Sequence, residues 1–228
     1  FIFSIIITIF LIEFVYSLYQ VSSFKANKSS NQGRSKFDEY TTLKKTNKFL
    51  TVATTPSSLI KDGRLKNNLF PLSGISNRLT IDCNENGYFS KYYSDRYGFN
   101  NKDDLWDKKV ELLLIGDSYT HGACVNYPDT FAGNFNLKHN TLSLGYNGNG
   151  PIIELGTIKE YINLVNPKKV IWIYTEVNDM QNMIAEFNHP LLKRYLTEKK
   201  FFQNLQKKQN LINDIQNNKI IEEFENFN

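Results

Sequence analysis

Val110-Glu111-Leu112-Leu113-Leu114-Ile115, followed at once by Gly116-Asp117-Ser118-Tyr119-Thr120-His121-Gly122, is the stretch on which the fold turns. The run is too short for an ordinary helix. Unbroken apolar character between Lys109 and Gly116 is what a strand buried on both faces requires. Two further runs read the same way, Asn140 to Leu144 and Lys169-Val170-Ile171-Trp172-Ile173-Tyr174-Thr175. Between them Ile152, Leu155, Ile158, Ile162 and Val165 recur at helical spacing behind Pro151, a residue suited to a first helical turn because its missing N–H would be unpaired there anyway. Strand, helix, strand in that rhythm predicts an α/β fold, a parallel sheet with helices on its faces. Met180 to Tyr195 and Phe201 to about Phe224 read as amphipathic helices, and no further strand pattern follows.

In an open parallel sheet the ligand crevice forms at the carboxyl ends of the strands, so the residues just after each strand carry the functional expectation. After the first strand, Gly116 permits a tight turn and places Ser118 at a helix start, where free N–H groups and the positive helix end favour developing negative charge. After the second comes Gly145-Tyr146-Asn147-Gly148-Asn149-Gly150-Pro151, whose bare backbone can approach an oxyanion; after the third, Glu176-Val177-Asn178-Asp179 offers an amide side chain. Taken singly, Ser118 reads as an N-cap, Gly145 as a turn glycine and Asn178-Asp179 as a helix start. Taken together they are what acyl transfer needs. Ser118 is the nucleophile, and the N–H groups of Ser118 and Gly145 with the Asn178 amide hold the oxyanion. A phosphate-binding loop is excluded, because Gly116 to Gly122 lacks both the lysine and the spacing.

Leu114-Ile115-Gly116-Asp117-Ser118-Tyr119-Thr120 resembles the Gly-Asp-Ser block that opens the SGNH/GDSL hydrolases. Gly145 matches the glycine of their second block, Val177-Asn178-Asp179 resembles the Gly-x-Asn-Asp third block, and Asp95-Arg96-Tyr97-Gly98-Phe99 is similar to a segment that precedes the first block in bacterial envelope members. The resemblance covers Tyr88 to Asp179. It implies a three-layer, flavodoxin-like sheet of about five parallel strands, of which three are visible and the rest missing. It also implies a serine esterase acting on acyl groups, acetyl foremost, of an envelope glycan, with no cofactor and no metal. The alternatives are an O-acyltransferase, or a non-catalytic carbohydrate-binding or assembly protein on the same fold. Two departures stand out. Glu176 replaces the usual Gly of the third block, and the fourth block, Asp-x-x-His, is absent: none of His121, His139 and His189 has Asp three residues before it. The chain therefore reads as a fragment lacking its general base. His121 would share a helix face with Ser118, His189 reads as a loop or helix-end residue, and Asp117 reads as a loop-stabilising acceptor rather than a triad acid.

The 228 residues suffice for one medium domain plus a tail, and a net charge of +4 without a basic face makes nucleic acid a poor partner. Four segments are expected: a transmembrane helix or signal anchor over 1–20, a polar linker over 21–48, an irregular region of short strands over 49–108, and the truncated α/β domain over 109–228. Phe1 to Tyr19 is almost wholly apolar over the ~20 residues that a bilayer span needs, with Glu13 its one charged residue. Lys25, Lys28, Arg34 and Lys36 after it favour a cytoplasmic side. The layout of the envelope-type members instead implies an extracytoplasmic, periplasmic domain. Cys83 and Cys124 match no metal or redox spacing and read either as two buried apolar thiols or as one disulfide suited to that compartment.

Overall fold

The computed structural model describes residues 7–16, 35–60, 65, 69–176 and 178–225. Residues 7–16 form a helix, α1, whose apolar side chains, Phe10, Ile12 and Phe14 among them, are exposed. No helix among the described residues is long and apolar enough to cross a membrane. The anchor expected over 1–20 falls in part, at 1–6 and 17–20, outside the described residues.

The stretch read as a polar linker needs correcting. Its residues 21–34 lie outside the described residues, but α2 spans Lys36–Lys44. Ser35 and Asp38 close a capping box, each side chain bonding the other's backbone N–H. The apolar faces of Tyr40 and Leu43 then dock on a small core of Leu50, Val52, Ile75, Ile81 and Ile220. Sparse apolar residues look like a spacer when the partner core is far away in sequence.

That small core belongs to a three-stranded sheet of β1 (Leu50–Val52), β2 (Leu79–Ile81) and β3 (Lys91–Tyr93), in that order, β1 parallel and β3 antiparallel to β2. The main sheet is wholly parallel, with β4 (Leu112–Gly116) central between β5 (Thr141–Ser143) and β6 (Lys169–Ile173). Leu113, Leu114 and Ile115 are completely buried, as the unbroken apolar run requires. The chain is thus mixed α/β with two small sheets.

Helices α3 (Ser118–His121), α4 (Phe131–Phe135) and α5 (Pro151–Val165) occupy the crossovers. Pro151 opens α5, and Asn166 in the left-handed region at φ 41° ends it. The single helix expected over Met180 to Tyr195 is two, α6 (Asp179–Phe187) and α7 (Pro190–Thr197), because Pro190 cannot continue a helix. The last helix, α8 (Gln209–Glu225), begins later than expected. Its Gln216 is buried, accepting from Thr54 Oγ1 and donating to the Ser73 carbonyl, which ties the chain's end to its N-terminal sheet.

The two edges of the main sheet differ. At β5, Asn101 imitates a strand: its Nδ2 donates to the Ser143 carbonyl and its Oδ1 accepts from the Ser143 N–H, both at 2.8 Å. Asn101 is itself held by Asp95, the buried hub of the Asp95 to Phe99 turn. At β6, among the described residues, only β4 is paired, and Val170, Trp172 and Tyr174 stand 43%, 55% and 46% exposed. A parallel strand of such composition is ordinarily covered on both faces.

Candidate active site

Ser118 begins α3 directly after β4. Asp117 is the N-cap, its Oδ1 accepting from the Tyr119 N–H at 3.0 Å, and Gly122, in the left-handed region at φ 78°, closes the turn. Gly116 is needed for close approach: a Cβ there would lie 2.1 Å from Thr120 Oγ1 and 2.6 Å from the Ile173 carbonyl. Ser118 is part-exposed, and its hydroxyl makes no hydrogen bond to any described residue.

Gly145 lies against the same short helix. A Cβ on it would come within 2.4 Å of Thr120 Cβ and 2.7 Å of the His121 N–H nitrogen. Among the described residues its own N–H has only a long 3.4 Å contact with Ser143 Oγ. The loop is held from outside: Asn147 Nδ2 donates to Asp82 Oδ1 at 2.7 Å, and Gly148 packs on Thr55 and Ser57.

Asn178, from the loop after β6, donates through Nδ2 to Asp117 Oδ2 at 3.2 Å. That loop is closed by Asp179, whose Oδ2 accepts from the Thr175 N–H at 2.6 Å while its own N–H donates to the Thr175 carbonyl at 3.1 Å. The sheet order β5-β4-β6 therefore brings the three loops to one edge, with α3 between the other two. Val177 lies outside the described residues.

The histidines are placed elsewhere. His121 is buried on the inner side of α3 between the rings of Tyr92 and Tyr146, with Nε2 3.8 Å from Asp82 Oδ2, and burial lowers its pKa. His139 faces Glu111 on the surface. His189 precedes α7 against Phe70. None of them bonds Ser118.

Sequence reasoning passed over the acidic surroundings of this edge. Glu154 of α5 is buried, accepts from Trp172 Nε1 at 2.5 Å, and is pushed up to about 8 by burial, with Asp179 and Asp117 adding to the rise. At neutral pH it is chiefly uncharged. Glu186 of α6 accepts from the N–H groups of Gly150, Ile152 and Ile153, and so caps α5 from another element. The signal was weak: a lone Glu in an amphipathic helix reads as solvated.

Among the described residues no group of three or more His, Cys, Asp or Glu is arranged to hold a metal ion. Cys83 and Cys124 form a disulfide, which pins the end of the α3 turn to the strand β2 side. In comparisons with known proteins, no family model, no curated protein and no solved structure matches this chain.

Proposed function

We propose that this chain is the nucleophile-bearing part of a serine esterase of the SGNH/GDSL type. The observation that carries the reading is the meeting of three strand-end loops around α3, which gathers Ser118, the Gly145 N–H and the Asn178 amide at one sheet edge. Ser118 attacks an acyl carbonyl, and the backbone N–H groups with the Asn178 amide take the negative charge. The proton must pass to a base outside the described residues. The uncovered β6 supports this, since a sheet continued by further parallel strands would cover it and bring new loops to the same edge. The expected substrate class is an acylated, foremost acetylated, envelope glycan, cleaved or used as acyl donor. The exposed apolar face of α1 and the Cys83–Cys124 disulfide favour a membrane-anchored, extracytoplasmic setting.

One observation favours a second reading. Among the described residues the Ser118 hydroxyl has no hydrogen-bond partner, as in a non-catalytic glycan-binding protein on the same fold. Treatment of the full-length protein with a fluorophosphonate followed by mass spectrometry separates the two. A single adduct on Ser118, lost in Ser118→Ala, is the expected result; an unlabelled Ser118 in a folded full-length protein refutes the esterase.

A further inference from the structure

We infer that Asp117 is a positioning residue that sets the orientation of the Asn178 amide and so aims an oxyanion donor; this rests on the esterase reading. Asp117 is completely buried, and both of its oxygens are used, Oδ1 for the Tyr119 N–H and Oδ2 for Asn178 Nδ2. Both oxygens act as acceptors, so they fix which end of the amide faces Asp117. The nitrogen must point to Asp117, and one of its two hydrogens is spent there. The other stays available to a ligand, while Asn178 Oδ1 is left buried and, among the described residues, without a partner. A half-satisfied amide of this kind costs stability by itself, which argues that it is retained for its donor.

The same carboxylate caps α3, so one side chain couples the helix that carries the nucleophile to the loop that carries the donor. A misdirected amide would turn its oxygen lone pairs toward the oxyanion and repel it. The clamp therefore does more than close a loop.

Asp117→Asn tests this. Asparagine keeps the cap through its oxygen but sets an NH2 group against the Asn178 NH2 group. In the 228-residue chain, the Asn178 side-chain amide should give one hydrogen-bonded, exchange-protected proton and one exposed proton in 15N NMR spectra. Asp117→Asn should abolish that asymmetry. Two solvent-like amide protons in the unaltered chain would overturn the clamp. In the full-length protein, Asp117→Asn should slow fluorophosphonate labelling of Ser118 by roughly a hundred-fold, the usual effect of losing one oxyanion donor. The double variant Asp117→Asn with Asn178→Asp restores a bond with donor and acceptor exchanged. Its stability should recover while labelling stays slow, and recovery of labelling would reduce Asp117 to a merely structural role. An unlabelled unaltered protein whose Asn178 amide is still asymmetric would instead refute the esterase reading and leave the clamp standing.

Discussion

Replacing Glu186 tests how the loop after β5 is held. Its carboxylate receives the N–H groups of Gly150, Ile152 and Ile153 at 2.6, 2.8 and 3.2 Å, at the point where that loop becomes α5. Each such N–H left unpaired in a buried place costs ~1–3 kcal/mol, and entering water recovers part of this, so Glu186→Ala should destabilise the chain by ~3–4 kcal/mol. Glu186→Gln keeps the shape and one acceptor oxygen, and should cost ~1–2 kcal/mol. Burial pushes the Glu186 carboxyl up to about 7 from the ordinary 4.5, against the opposing pull of the three N–H groups. A carboxyl raised in the folded chain holds its proton more tightly there. Its contribution is complete below the unfolded value and is lost as pH rises through about 7. Glutamine has no such proton to lose, so its penalty should be largest near about pH 5 and shrink toward about pH 8. Urea denaturation followed by tryptophan fluorescence measures this, because the other raised carboxyls cancel in the difference between two variants. Equal costs for Ala and Gln, or a Gln penalty that grows with pH, would refute the reasoning.

Three other substitutions probe the frame around the site. Gly145→Ala forces a Cβ to within 2.7 Å of the α3 backbone, so it should lower stability by ~2 kcal/mol and abolish Ser118 labelling in the full-length protein; a thermal melt and a labelling assay check both. Replacing both Cys83 and Cys124 by serine frees a loop with a sequence separation of 41, which should cost roughly 4 kcal/mol on loop entropy and lower the melting temperature as reductant does in the unaltered chain. Asp95 accepts from the Tyr97 and Phe99 N–H groups, Asn101 Nδ2 and Trp106 Nε1, and burial raises it to about 6. Asp95→Asn turns one acceptor into a donor facing donors and should cost ~2–4 kcal/mol in urea denaturation; the part of the unaltered chain's stability due to the raised carboxyl should fall as pH rises through about 6.

The parallel sheet was legible because its evidence is local. Val110 to Ile115 is apolar on both faces, Pro151 marks a helix start, and the loop glycines sit where tight approach is needed. Ser118, Gly145 and Asn178 could be named for the same reason, each lying just past a strand. What escaped was the work done between distant elements. Glu186 caps a helix 34 residues away, and Asn101 edges a strand 42 residues away. Asp82 joins the disulfide turn to the β5 loop, and α2 finds its core only with α8 in place. A polar side chain carries no mark of a partner so remote, and periodicity assigns it to solvent.

The sequence by itself determined the strands, the helix between them and the residue types at each strand end, since period, length and backbone permissiveness are properties of a short window. Only the tertiary structure decided that β4 lies between β5 and β6, that Asp117 grips Asn178, and that His121 turns inward away from Ser118. Those outcomes depend on which buried groups can satisfy one another across the fold, and that is settled by packing rather than by neighbours in the chain.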